Sequence, residues 1–256
     1  MSTRVTAAAR LSTACRQQLR EQLGLSLDPA VELGRLSSII ESGHLSLPVL
    51  QEMISAPEVN SVLGALAPAE FGGVCALLAN AGNPDPQALA AYLQDGLAGA
   101  VAAADVTVVA TARDITASAF AESGLELGYT VSACRADAAT GLELRREHEV
   151  VLLRIHDGGE VEFDHAGLFD AVCGERQLKL ERGAERRGIT LTQRNQHYHG
   201  APSGGELIVA AGASGDPSLA RATALAAGQP APQASDGRKV IGDRRRAGPM
   251  QCRRTA

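Results

Sequence analysis

The feature that most constrains the fold is an alanine-rich stretch that begins at Pro86 and contains no further proline up to about Ala121. At 1.5 Å per residue, a single helix of this length would be roughly 50 Å long. Small side chains let another helix approach closely, so the stretch predicts either a buried bundle helix or an oligomerising arm. The β-branched run 106–109 leaves a strand as an alternative at that point. One face carries apolar residues at spacing four, namely Leu89, Leu93, Leu97 and Val101.

From residue 3 up to this stretch, the pattern predicts a series of shorter helices. Gly24 ends the first of them, and Asp28 followed by Pro29 begins the second as an N-cap and a first-turn proline. The first helix has its apolar stripe at Leu11, Cys15, Leu19 and Leu23. Further helices are predicted over residues 29–41, 47–55, 58–66 and 68–81.

After Gly124 the sequence changes to short runs of alternating apolar and polar residues. A helix over 170–187 and a strand from Ile189 complete an α-β-β-β-α-β order. This order is typical of a small α+β domain with helices on one face of a mostly antiparallel sheet, and it also allows a ferredoxin-like arrangement. The turn Asp157-Gly158-Gly159 is a strong hairpin signal. The three predicted strands before the helix cover residues 127–132, 149–155 and 160–165.

The last part of the chain has no periodic apolar pattern from Gln229 onward, and we expect a disordered tail there. From Ser235 the tail holds seven basic and two acidic residues, a net charge of +5, whereas the whole chain has −5. Arginine-rich tails bind nucleic acid weakly and without sequence preference, so these side chains are candidate contacts. They are Arg238, Lys239, Arg244, Arg245, Arg246, Arg253 and Arg254.

Together these patterns predict an α+β protein with four parts. A helical region covers residues 1–83, and a long connecting helix covers 84–123. A small α+β domain with a mostly antiparallel sheet covers 124–228, and the disordered, arginine-rich tail covers 229–256.

The best candidate for chemistry is the pair His197 and His199, which flank Tyr198. In a strand, residues i and i+2 point to the same side, so both imidazoles could face one divalent metal ion. The stretch is also polar enough to be a solvated strand end without any ligand. A metal site needs a further ligand from the predicted hairpin, where the candidates are His156, Asp164 and His165.

Other catalytic constellations are incomplete. The five cysteines contain no CxxC pair, and no histidine follows His199 that could serve a later serine nucleophile. The carboxylates Glu160 and Glu162 are expected on a solvated face, where such residues alternate with arginine. The sequence therefore favours a non-enzymatic protein.

The compartment is predicted from the cysteines and from hydropathy. An odd number of widely spaced cysteines is typical of reduced thiols in the cytoplasm. The segment after Met1 lacks the apolar core of a signal peptide. The most apolar window, 96–112, is interrupted by Asp105 and is shorter than the ~20 apolar residues that a span requires. We therefore expect a cytoplasmic protein that is not inserted in a membrane.

The functional hypothesis is a cytoplasmic interaction or regulatory protein. Its N-terminal and long helices would self-associate or dock on a protein partner, and its α+β domain would be a recognition module. One alternative is a metal-dependent, hydrolase-type enzyme that uses His197 and His199. A further alternative is a nucleic-acid-associated accessory factor that acts through the basic tail.

Overall fold

A computed structural model of the chain describes residues 2–80, 85–136, 139–147, 149–166, 171–199 and 252–255. Within these ranges the fold is α+β, as predicted, with a helical first half, one long helix and an antiparallel sheet. The chain divides into two compact units. The helical unit is Thr13–Ala112, and the sheet unit combines Met1–Ser12 with Arg113–Ala256.

Local sequence signals determine the ends of the helices. The helices are α1 (Thr13–Leu23), α2 (Pro29–Glu41), α3 (Leu47–Ser55), α4 (Pro57–Leu66), α5 (Pro68–Ala79) and α6 (Pro86–Glu126). Gly24, with φ +69°, follows α1. The side chain of Asp28 accepts a hydrogen bond of 3.2 Å from the backbone N–H of Ala30 and caps α2. Both predicted boundaries are confirmed, because caps depend on neighbours in sequence.

The long stretch is a single helix, and the strand alternative at 106–109 is wrong. Its predicted apolar face is buried at Leu89, Leu93, Leu97 and Val101. In the β-branched run, the Thr107 hydroxyl donates to the carbonyl of Leu66 at 3.3 Å. Burial of the continuous leucine face outweighs the small loss of helix propensity at these residues.

Within the described ranges, the sheet has seven strands in the order β6-β1-β5-β4-β3-β2-β7. They are β1 (Ser2–Leu11), β2 (Thr130–Ala136), β3 (Ala139–Arg146), β4 (Glu149–His156), β5 (Glu160–Ala166), β6 (Ile189–His199) and β7 (Cys252–Thr255). All neighbouring strands are antiparallel. Strands β2 to β5 form a meander, so the ferredoxin-like alternative is wrong.

Strand β1 corrects the prediction of helices from residue 3 onward. Its Val5 is paired with Phe163 of β5, and its Thr6 lies opposite Asn195 of β6. The apolar stripe predicted for the first helix begins one turn too early, because Leu11 is the last residue of β1 and α1 starts at Thr13. Strand β1 forms backbone hydrogen bonds with a strand on each side. Its small alanine side chains would bury little apolar surface in a helix, so strand pairing is favoured.

Strand β3 is a second correction, because no strand was predicted over Ala139–Arg146. Its Leu142 and Leu144 are buried and alternate with Glu143 and Arg145, so a strand pattern is present in the sequence but is only four residues long. The preceding strand, β2, begins at Thr130 rather than at residue 127, because α6 continues to Glu126. The hairpin of β4 and β5 is confirmed, with Gly159 at φ +77°.

Two helices cover one face of this sheet. Phe120 of α6 contacts Phe163 of β5 edge to face, with the ring centroids 5.5 Å apart. Helix α7 (Ala171–Arg186) lies beside α6 at Gly183, where an added Cβ would be 2.7 Å from the Cβ of Ser123. Residues 200–228 of the predicted α+β domain lie outside the described residues. Of the predicted tail, only β7 is described, and it pairs with β2.

Candidate functional site

The predicted metal ligands on the β4–β5 hairpin lie on different faces of the sheet. Asp164 and His165 are adjacent in β5, so their side chains point to opposite sides. Both are buried, and the carboxylate of Asp164 accepts a hydrogen bond of 2.9 Å from the backbone N–H of His165. His165 lies opposite Val151 and Asp164 opposite Leu152. These two side chains therefore cannot bind one ion together.

His156, at the end of β4, lies close to a different carboxylate. Its Nε2 lies 3.4 Å from Oε2 of Glu162, which is also 3.8 Å from an arginine nitrogen of Arg154. The prediction of a solvated Glu162 is wrong, since it is 7% exposed, whereas Glu160 is exposed as expected. Glu162 is thus part of an ion-pair cluster on the sheet face.

The predicted pair His197 and His199 lies in β6, opposite Arg4 and Ser2 of β1. Their side chains are outside the described part of the structure, so their use as ligands stays a prediction. Among the described residues, no group of three or more histidine, cysteine, aspartate or glutamate side chains is placed to hold a metal ion.

A buried polar cluster around Glu149 was not predicted. One oxygen of Glu149 accepts hydrogen bonds from the Tyr129 hydroxyl at 2.8 Å and from Arg146 at 2.7 Å. The other oxygen accepts from Arg176 at 3.4 Å. The Arg146 guanidinium also lies 4.9 Å from the centre of the Tyr129 ring. Nothing in the sequence separates Glu149 from other strand-end glutamates, because its partners come from three different elements.

The electrostatics of this cluster indicate a structural role. Burial raises the pKa of Tyr129, and the hydrogen bond to Glu149 raises it further. Burial lowers the pKa of the nearby His165 to about 4, although the charge of Glu149 acts in the opposite direction. The tyrosine is therefore protonated and the histidine neutral near pH 7. Since three donors occupy the two oxygens of Glu149, this carboxylate is engaged in holding the fold together.

The helical unit contains a groove between α2 and α6, with a volume of about 450 Å³. Small residues line it at helical spacing, with Ala30 and Gly34 on α2 and Ala98 and Ala102 on α6. The other lining residues are Leu33, Ser37, Ile40, Glu41, Val101 and Asp105.

Hydrogen bonds from one glutamine fix the walls of the groove. The side-chain nitrogen of Gln94, on α6, donates to the carbonyls of Ile40 and Gly43 at 3.0 and 2.9 Å. Its oxygen accepts from the backbone N–H of Leu45 at 3.1 Å. The side chain of Gln94 therefore ties α6 to the C-terminal end of α2, and the groove is preformed.

The apolar surface of α6 extends beyond the groove. In the described part of the chain, α6 is the one helix with the length and apolar character needed to cross a membrane, and 28% of its apolar window is buried. Tyr92 and Val106 on this helix are 67% and 68% exposed. Both apolar side chains therefore lie at the protein surface.

Two of the basic tail residues are in the described part. Arg253 and Arg254 belong to β7, and their backbone lies opposite Ala133 and Ser132 of β2. The other five predicted nucleic-acid contacts lie outside the described residues, so the role of the tail stays a prediction.

Comparison of the chain with protein-family models, with curated proteins and with solved structures finds no match. The functional conclusion therefore depends on the residues and their geometry.

Proposed function

We propose that the chain is a non-enzymatic, cytoplasmic interaction protein whose helical unit docks a helix of another protein in the α2–α6 groove. The observation that carries this proposal is the exposed apolar face of α6 beside a preformed groove. Tyr92 and Val106 lie on that face, and the groove has a volume of about 450 Å³.

The spacing of the small residues supports a helical partner. Ala98 and Ala102 are four residues apart on α6, as are Ala30 and Gly34 on α2. Residues four apart lie on one side of a helix, so each pair of small residues leaves a flat strip along its wall of the groove. Helix-in-groove recognition uses apolar anchors at this same spacing. A preformed groove also lowers the entropic cost of binding.

Charge on α6 supports a protein partner over a lipid bilayer. Asp95 and Asp105 are both exposed, ten residues apart on this helix. An aspartate at the centre of a membrane span costs about 2.5 to 3.5 kcal/mol. Protein interfaces accommodate such residues at a polar rim. The cytoplasmic location is proposed from the odd number of widely spaced cysteines.

Site-specific photo-crosslinking tests the docking surface. We would place p-benzoylphenylalanine at Val106 or, as the control, at Glu70, which is exposed on α5. Irradiation in cells of the source organism should give a discrete adduct from position 106 and none from position 70. In addition, Ala102→Leu, which fills the groove, should abolish the adduct.

The mass of the adduct identifies the partner. An adduct of two 26.5 kDa chains would show that a second copy occupies the groove, in place of another protein. The proposal is wrong if positions 106 and 70 give the same adducts, or if Ala102→Leu leaves the adduct unchanged.

A further inference from the structure

Resting on the proposed function, we infer that the groove takes a basic amphipathic helix, with an apolar stripe bordered by lysine or arginine. The first observation is the charge of the lining. Of the ten lining residues, Glu41 and Asp105 are acidic and none is basic. Both are exposed, one on each wall of the groove.

These two carboxylates carry negative charge that is not neutralised within the described part of the chain. The arginine of α2, Arg35, is paired with Glu32 at 3.0 Å. No ion pair joins Glu41 or Asp105 to any residue that the structure describes. Glu41 is also the last residue of α2, where the helix dipole adds partial negative charge. Both walls therefore present negative potential to an incoming helix.

The charge of the whole helical unit has the same sign. Residues 13–112 contain three arginines and ten acidic residues, a net charge of −7, against −5 for the entire chain. Residues 36–112 contain seven acidic residues and no lysine or arginine. A field of one sign accelerates the association of oppositely charged partners and repels anionic lipids and nucleic acids. A cationic partner is therefore favoured.

The apolar part of the lining specifies the rest of the partner. Between the acidic residues lie Leu33, Ile40 and Val101, flanked by the small residues of both walls. Leu33, Ile40 and Val101 are buried and form the floor of the groove, so an apolar stripe would pack mainly on the exposed small residues of both walls. Basic residues at the borders of the stripe would then reach Glu41 and Asp105. This combination defines an amphipathic helix, because its apolar and charged residues fall on separate faces.

Fluorescence anisotropy with designed peptides tests this inference on the full chain. The probe is a labelled peptide of about 18 residues in which lysines border a leucine and alanine stripe. One comparison peptide replaces the lysines with glutamates, and another scrambles the order at constant composition. We expect the basic amphipathic peptide to bind at least about tenfold more tightly than either comparison, and its affinity to fall between about 50 and 300 mM salt.

Charge-matched variants locate the binding surface. The double variant Glu41→Gln/Asp105→Asn should weaken binding of the basic peptide about fivefold. The control, Glu58→Gln/Glu70→Gln, removes the same net charge from exposed residues of α4 and α5 and should leave the affinity unchanged. Ala102→Leu should abolish binding of every peptide that enters the groove.

The outcomes separate this inference from the proposed function. Acidic and basic peptides could bind equally, with Ala102→Leu blocking both. In that case the proposed docking function is supported, and the inference that the partner helix is basic is wrong. If Ala102→Leu changes the binding of no peptide, the inference and the proposed function are both wrong. Equal weakening by the two double variants would overturn the inference, since binding would then follow net charge. Co-sedimentation of the chain with phosphatidylglycerol vesicles that is lost in Ala102→Leu would also overturn it, in favour of a membrane surface.

Discussion

Gly183 of α7 is required because the backbone of α6 approaches closely there. A Cβ at this position would lie 2.6 Å from the hydroxyl oxygen of Ser123 and 2.7 Å from its Cβ. Ser123 cannot turn away easily, since it is buried and its hydroxyl donates to the carbonyl of Ala119 at 2.6 Å. Absence of a side chain at Gly183 therefore allows the two helices to pack on the sheet.

The first prediction is that Gly183→Ala destabilises the sheet unit by about 1 to 3 kcal/mol, the usual cost of overpacking. Gly174→Ala in the same helix is the control, because a Cβ there meets nothing within 4 Å. The control should gain up to about 1 kcal/mol from helix propensity. Urea unfolding measures both. Equal effects of the two substitutions would contradict the role of the contact with Ser123.

The second prediction concerns pH and His165. Burial holds the pKa of His165 at about 4, below the value of 6.5 that the unfolded chain has. Below pH 6.5 the unfolded state therefore binds the proton more readily, and stability present above that pH is lost as the pH falls towards 4. The loss should be on the order of 3 kcal/mol. His165→Gln should remove this part of the pH dependence in urea titrations from pH 7 to about pH 4.5. If the free energy of unfolding falls equally with pH in the wild type and the variant, other titratable groups cause the loss of stability.

At the scale of elements, the junction of α2 and α6 depends on Gln94. Its side chain makes three hydrogen bonds to the end of α2 and the following loop, at 3.0, 2.9 and 3.1 Å. Helix ends leave carbonyl groups without intrahelical partners, and Gln94 satisfies one of these at Ile40. The shape of the groove therefore depends on this one side chain as well as on the apolar core.

The third prediction is that Gln94→Ala lowers the stability of the helical unit by about 0.5 to 1.5 kcal/mol, since two part-buried hydrogen bonds and one exposed hydrogen bond are lost. Gln87→Ala, at an exposed position near the start of α6, is the matched control and should change stability by less than about 0.5 kcal/mol. Thermal unfolding followed by circular dichroism at 222 nm compares the two. Equal melting temperatures would show that water replaces Gln94 at no cost.

At the scale of the whole molecule, the sheet unit is assembled from distant parts of the chain. Strand β1 lies between β5 and β6, more than 150 residues away in sequence. The backbone N–H of Ala9 donates to the carbonyl of Gly159 at 2.7 Å, and Ser12 donates to Gly188 at 2.8 Å. Closing so long a loop is slow, so we expect the N-terminal strand to join the sheet late in folding.

The fourth prediction is that Ala9→Pro, which removes the donor to Gly159, destabilises the sheet unit by at least about 2 kcal/mol. Ala9→Thr keeps the N–H and has higher strand propensity, so it should leave stability nearly unchanged. Hydrogen exchange of the amides of β5 and β6 measures the effect locally. Unchanged protection in Ala9→Pro would contradict a central place for β1.

Some parts of the fold were predictable because their causes are local. The Asp28-Pro29 start of α2, the glycine after α1 and the Asp157–Gly159 turn act through neighbours within a few residues. The leucine face of α6 was also readable, because helical periodicity repeats over many turns. The metal hypothesis stays untested, although its hairpin members Asp164 and His165 lie on opposite faces of β5.

The sequence by itself determined that most of the first half is helical, the boundaries at Gly24 and Asp28, and the β4–β5 hairpin. Only the tertiary structure decided that the first strand belongs to the sheet, that β3 forms, and that Glu149 is buried against Tyr129 and two arginines. It also decided that α2 and α6 enclose a groove. The physical reason is that strand pairing, buried ion pairs and grooves join residues far apart in the chain. A short sequence window contains only one of two paired strands or one wall of the groove, and of the three partners of Glu149 it contains only Arg146.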